Sequence, residues 1–237
     1  MHFIESNTRT GRRHPGFTLV EMLVVIAIMS VLVTAGAIGL GSIGGKGVSS
    51  GVASAESLFD EARAIAVGQR TKARVLIAKE MTSNSAENLR KIVVVSEALK
   101  TDGTPDTDKW VLSSRGVTLP DQVFFSQNFS KDNYETGGTT LPTMKSTKIN
   151  NVKAAFAGEY FYYEFNSEGI STTPGASFII GSGSRSLNSA TSKPKVTAAG
   201  KRDFGGFVIW RNGRTSLFRS PDQMGSGISG MAPGKEF

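Results

Sequence analysis

The sequence predicts an α+β chain in which a long N-terminal transmembrane helix is followed by an amphipathic helix packed on antiparallel β-sheet. Three observations carry this expectation. Residues 17–40, FTLVEMLVVIAIMSVLVTAGAIGL, are apolar on every helical face and hold a single charge, Glu21. Residues 52–69 place Ala55, Leu58, Phe59, Ala62, Ile65 and Ala66 at the spacing of one helical stripe. Beyond them, short runs rich in Val, Ile, Phe and Tyr alternate with polar, turn-forming stretches, as strands joined by loops do.

Whole-chain averages conceal these parts. At 237 residues, 39% hydrophobic and 20% charged with a net charge of +7, the chain has the averages of a mildly basic soluble protein. Cysteine is absent, which excludes disulfides, thiolate zinc or iron–sulfur sites and a cysteine nucleophile. His2 and His14 are the only histidines. A chain that lost its first sixteen residues would have neither His nor Cys, and most metal sites and triad-type catalysis would be closed to it.

As a helix, residues 17–40 would reach about 36 Å, against a hydrocarbon core of about 30 Å. A buried helix of a soluble core rarely stays apolar all round for that length. The preceding residues 1–16, MHFIESNTRTGRRHPG, set Arg9, Arg12 and Arg13 against Glu5, a net +2. Positive charge beside a span holds that end in the cytoplasm and sends the remainder across. A secretory signal peptide would have a shorter apolar stretch and a small-residue cleavage site, and none stands out after Leu40.

Residues 36–51, GAIGLGSIGGKGVSSG, hold seven glycines. Each costs a helix interior about 0.5–1 kcal/mol relative to alanine, so a bend is expected over 41–51. Gly41 and Gly45 also have a spacing that suits close helix contact, the alternative use of this stretch. In the helix over 52–69, Glu56, Asp60, Glu61 and Arg63 fall largely opposite the apolar stripe. Strands are expected at 73–78, 91–98, 110–112, 123–126, 160–166, 177–180, 207–211 and 215–219. The last two form a hairpin, FVIWRNGRTSLF, in which Asn212-Gly213 suits a two-residue type I′ turn. In EYFYYEF, Phe161, Tyr163 and Phe165 alternate with Tyr160, Tyr162 and Glu164, the pattern of a half-buried strand rather than a base-stacking platform. Polar inserts at 127–153 and 182–202 read as surface loops, and the glycine-rich residues 220–237 as a loosely ordered tail.

Candidate chemistry is sparse. Asp102, Asp106 and Asp108 cluster oxygen ligands of the kind calcium takes, but at a spacing unlike an EF-hand, and an acidic turn accounts for them. Glu159, Glu164 and Glu168 have no evident pocket, and no phosphate-binding loop is present. No enzyme activity and no cofactor are expected. Lys193, Lys195, Lys201, Arg202, Arg211, Arg214 and Arg219 form a basic set that can neutralise nucleic-acid phosphates. A solvated surface is the plainer account of them.

The string Gly16-Phe17-Thr18-Leu19-Val20-Glu21, between a basic leader and a long apolar helix, resembles the N-terminus of type IV prepilins and type II secretion pseudopilins. The resemblance implies a pilin-like fold. It implies that prepilin peptidase cuts between Gly16 and Phe17 and methylates the new amine of Phe17. The leader 1–16 then leaves with both histidines, and the net charge falls from +7 to +5. By the same resemblance, Glu21 guides each subunit into a filament by pairing with the N-terminal amine of a neighbour. Energetics agree with that role, because a carboxylate within hydrocarbon costs about 2.5–3.5 kcal/mol on insertion scales and needs a partner. No other cation lies between Phe17 and Lys46. Solvation of Glu21 at the membrane interface is the simpler alternative and is compatible with assembly.

The order of elements, with AESLFDEARAIAVGQRTKARVLI, WVLSSRGVTLPDQVFF, YYEFNSEGIS and GGFVIWRNGRTSLF, is similar to the minor pseudopilin H of type II secretion and the T-type minor pilins. Relatives with a C-terminal disulfide loop differ, since this chain has no cysteine. The expected organisation is a leader at 1–16, a transmembrane and filament-core helix at 17–40, a glycine-rich bend at 41–51, a periplasmic head at 52–219 and a tail at 220–237. Implied partners are other pilin or pseudopilin subunits, prepilin peptidase, an inner-membrane assembly platform and membrane lipid. The implied location is the bacterial inner membrane, crossed once with the N-terminus cytoplasmic, and a filament after assembly. The alternative function is a minor pilin that captures DNA for uptake through the basic set.

Overall fold

A computed structural model describes residues 18–41, 43–145, 149–150, 154–186, 192–197, 203–224, 228 and 231–237. The chain divides into two compact units, Met1–Gly41 and Ser42–Phe237.

The first unit contains helix α1, Leu19–Gly41. Its side chains are described from Leu19 to Ser30, and all are exposed. Among the described residues no helix is long and apolar enough to cross a membrane. The expected span therefore rests on the sequence, since the side chains of the second half of α1 lie outside the described set. The one hydroxyl late in the described turns, Ser30 Oγ, donates to the Ala27 carbonyl at 2.8 Å and so satisfies itself within the helix.

The second unit begins with helix α2, Ile43–Gln69. The glycine-rich residues from 43 on were expected to bend and are instead helical; whether the chain bends at Ser42 lies outside the described residues. The reason is packing. A Cβ on Gly47 would stand 3.3 Å from Val123 Cγ2, and one on Gly51 would stand 2.8 Å from Ile180 Cδ1 and 3.3 Å from Leu119 Cδ2. These two glycines let the helix axis approach the sheet, and the close packing this permits outweighs their unfavourable propensity. The stripe continues through Ala55, Phe59, Ala62 and Ala66, all completely buried. At its end α2 closes with Arg70 at φ 54°, Arg70 N–H donating to the Val67 carbonyl and Thr71 N–H to the Ala66 carbonyl, the two bonds of a Schellman cap.

Among the described residues ten strands follow: β1 Ala73–Met81, β2 Lys91–Leu99, β3 Pro105–Thr118, β4 Val123–Phe125, β5 Thr143–Lys145, β6 Ile149–Asn150, β7 Gly158–Phe165, β8 Ala176–Ser182, β9 Phe204–Ile209 and β10 Thr215–Leu217. They form a six-stranded sheet ordered β5-β7-β1-β2-β3-β6 and a four-stranded sheet ordered β10-β9-β8-β4. All pairings are antiparallel except β3 with β6. Helix α2 lies against both sheets, and Phe59 is its pin. That ring meets Tyr163 at 4.9 Å and Phe165 at 6.3 Å on β7, Phe178 at 5.6 Å on β8 and Phe207 at 5.0 Å on β9, all edge-on. Period-two alternation sends Val75, Ile77, Ile92, Val94, Phe161, Tyr163 and Phe165 into this core. The Tyr163 hydroxyl donates to the Ser177 carbonyl at 2.7 Å, and burial raises its pKa well above the usual tyrosine value.

The other face of the large sheet is also covered. Leu76, Ala78, Val93, Val95, Trp110 and Tyr160 form a second buried cluster there. The Arg74 guanidinium lies 4.0 Å from the Trp110 ring centre and 4.4 Å from that of Tyr162, donates to Met144 Sδ, and pairs with Glu164 at 2.6 Å. Thus β3, β5 and β7 converge on one side chain from β1. Chain length makes the same point: β5 and β6 are opposite edges of the sheet, yet only three residues separate Lys145 from Ile149. That tether spans at most about 14 Å, whereas the edges of six flat strands would lie about 24 Å apart. The sheet must curl toward closure.

Three further expectations change. The Asn212-Gly213 turn is not type I′, because only Gly213, at φ 73°, has a positive φ. Gly213 N–H donates to the Trp210 carbonyl and Trp210 N–H to the Arg214 carbonyl, so a type I turn is followed by a left-handed glycine. The insert 127–153 contributes edge strands β5 and β6 as well as loop. The tail is anchored: Met224, Ile228, Met231 and Phe237 are buried, the last packing on Phe204 at 5.0 Å.

Candidate functional site

The first described residue, Thr18, precedes α1 directly, and Glu21 lies in the first turn. Thr18 Oγ1 accepts from the Glu21 backbone N–H at 3.2 Å. In return Glu21 Oε2 accepts from the Thr18 backbone N–H at 2.8 Å and from the Thr18 hydroxyl at 2.8 Å. This is a reciprocal capping box, closing two backbone donors that a helix start leaves open. The carboxylate also sits at the positive end of the helix dipole.

Both contacts fall on one oxygen. Among the described residues, Oε1 of Glu21 accepts nothing, so half of the carboxylate is fixed by Thr18 while the other half faces outward. A carboxylate oriented in this way can receive a cation from outside its own turn. The sequence reading singled out Glu21 and overlooked Thr18. The T-x-x-E spacing at an apolar helix start was the signal that names it. Gly16 and Phe17, the expected cleavage and methylation positions, lie outside the described residues.

The basic set is not brought together. Lys193 donates to Asn128 Oδ1 at 3.3 Å, and Lys195 pairs with Glu236 at 3.7 Å while its backbone bridges to Ser184. Ser184 lies beyond the Gly181↔Phe204 end of the β8–β9 ladder. Arg211 and Arg214 lie past the opposite end, Ala176↔Ile209, where the Arg211 carbonyl accepts from Ser171 N–H. About five residue steps of 3.4 Å separate the two ends, roughly 17 Å. Arg219 is exposed beyond β10, and Lys201 and Arg202 lie outside the described residues. Among the described residues no single basic face emerges, and the DNA-capture reading gains no support.

The acidic residues are likewise used locally. Asp102 Oδ1 accepts from the Thr104 N–H at 2.9 Å and its hydroxyl at 2.6 Å, which lowers the Asp102 pKa. Asp106 belongs to β3 and pairs with Lys109 at 2.8 Å. The Asp108 side chain lies outside the described set. Glu159 and Glu164, on β7, pair with Lys79 and Arg74.

Comparison with known proteins places weight on the N-terminus. Residues 11–37 match the family described as Prokaryotic N-terminal methylation motif. The chain thus carries the N-terminal methylation motif of type IV prepilins. Among solved structures it is similar to the type IV minor pilin FimU of Pseudomonas aeruginosa strain PAO1, at 10% identity and a TM-score of 0.36, over 74% of this chain and 90% of that one. No curated protein matches the chain.

Proposed function

We propose that the chain is a membrane-anchored minor pilin or pseudopilin subunit whose mechanism is assembly rather than catalysis. The methylation motif over residues 11–37 carries this reading. Prepilin peptidase cuts the Gly16–Phe17 bond and methylates the amine of Phe17, and the apolar helix 17–40 anchors the subunit in the inner membrane before it enters a filament. The head, held outside by the basic leader, faces the periplasm. The half-fixed carboxylate of Glu21 supports its assigned role: Thr18 holds Oε2, and Oε1 takes the N-terminal amine of a neighbouring subunit. The order of helix, helix and strands is in keeping with a subunit of the H or T type, and the partners are other pilin-like subunits and their inner-membrane assembly platform.

Two substitutions test this. In a host with prepilin peptidase, Gly16→Ala should leave the leader uncut, read as a mass increase and an unmethylated Phe17; normal processing would overturn the proposal. Glu21→Ala should be inserted and processed normally yet be lost from sheared filaments. Unchanged incorporation would remove its proposed role.

A further inference from the structure

Away from the N-terminus, a cavity of about 100 Å³ collects three cationic side chains. Lys79, Arg185 and Lys193 line it together with one carboxylate, the exposed Glu80. Lys79 has its own partner, Glu159 at 3.0 Å. Arg185 donates to the carbonyls of Asn88 at 2.6 Å and Ser85 at 2.5 Å, and Lys193 to Asn128 Oδ1 at 3.3 Å. Among the described residues no carboxylate pairs with either. The fold therefore uses neutral oxygens to hold two cations in place without cancelling them.

The neighbours add to the imbalance. Arg185 stands over the Phe124 ring at 5.4 Å, and Arg90 approaches the same ring at 6.0 Å. Burial, and then the like charge of Arg90, push the Arg185 pKa down. Arg90 is itself paired with Asp121 at 2.7 Å, a carboxylate that is 95% exposed. One guanidinium group and two ammonium groups thus line a partly enclosed space, with a second guanidinium, Arg90, behind Arg185. An anion there would be stabilised by charge-assisted bonds in a setting where water screens poorly.

We propose that this cavity binds a small oxyanion between Lys79, Arg185 and Lys193. Its volume leaves room for one tetrahedral or carboxylate group. Phosphate, free or as the ester of a larger molecule, and a side-chain carboxylate share this chemistry.

The test is a titration of the full-length chain in detergent micelles with sodium phosphate, at constant ionic strength against chloride, followed by amide shifts at Lys79, Arg185 and Lys193. Saturable shifts confined to these residues are expected. Because Arg185 also holds two carbonyls, Lys193→Gln is the deciding variant. It should keep the melting temperature without phosphate and bind about tenfold more weakly, the loss of one charge-assisted bond. A parallel titration with acetate separates the sources: tighter phosphate assigns a phosphate group, tighter acetate a carboxylate. Non-saturating shifts with both anions, or equal affinity in wild type and Lys193→Gln, would overturn the proposal.

Discussion

Helices α1 and α2 treat their apolar residues in opposite ways. From Leu19 to Ser30 every side chain of α1 is exposed, including Leu19 at 82% and Val20 at 69%. On α2, Ala55, Phe59, Ala62 and Ala66 are wholly buried against two sheets. The better packed helix is the one with more glycine, and the more hydrophobic helix is exposed at every described side chain. Burial within this chain therefore follows a stripe matched to a neighbouring surface, not total hydrophobicity. A helix apolar on every face cannot be covered by a single adjoining surface, which is the physical argument behind the anchoring role proposed for α1.

Substitutions should separate the two helices by size of effect. Phe59→Ala removes the ring that touches β7, β8 and β9, and should cost the head about 3–5 kcal/mol in denaturant unfolding. A loss under about 1 kcal/mol would mean that α2 is not the pin of the fold. Gly51→Leu forces a side chain into Ile180 and Leu119, and should cost about 1–3 kcal/mol through overpacking. If it stabilised the head by its better helix propensity, the close approach of α2 would be refuted. Thr18→Ala opens the capping box and should weaken the first turn of α1 by about 1 kcal/mol, read as faster amide exchange near residue 21 with the head unchanged. Smallest of all, Val24→Ala should leave head unfolding within about 0.5 kcal/mol of wild type, because Val24 is an exposed residue of the first unit.

Much of the head was legible from alternation and spacing. Each expected strand has an observed counterpart, and the six stripe residues of α2 pack, Ile65 only partly, joined by Val48 and Val52. The misses share a cause. Pro105, Asp106 and Asp108 disfavour a strand, yet they extend β3 because the β2 edge supplies partners, Ala98 to Asp106 and Leu99 to Pro105, across a register shift. β5 and β6 are too short to show a period and exist through pairing with β7 and β3. Gly47 and Gly51 read locally as a helix cost, whereas their neighbours in space, Val123 and Ile180, lie far along the chain. Phe237 drew no notice because a lone terminal aromatic has no pattern. At the N-terminus the roles of Gly16, Phe17 and Glu21 were legible only through resemblance, while the Thr18 box was a local rule available from the residues themselves.

The curl of the large sheet also bears on solubility. A flat sheet of this width would offer two long rows of unpaired amides and carbonyls to any passing strand. Here the outermost strands are three residues of β5 and two of β6, which cover β7 at Glu159–Phe161 and β3 at Trp110 and Val111. Among the described residues the stretch of β3 from Leu112 to Thr118 has no strand beyond it, so any tendency of the large sheet to add a stray chain is concentrated there.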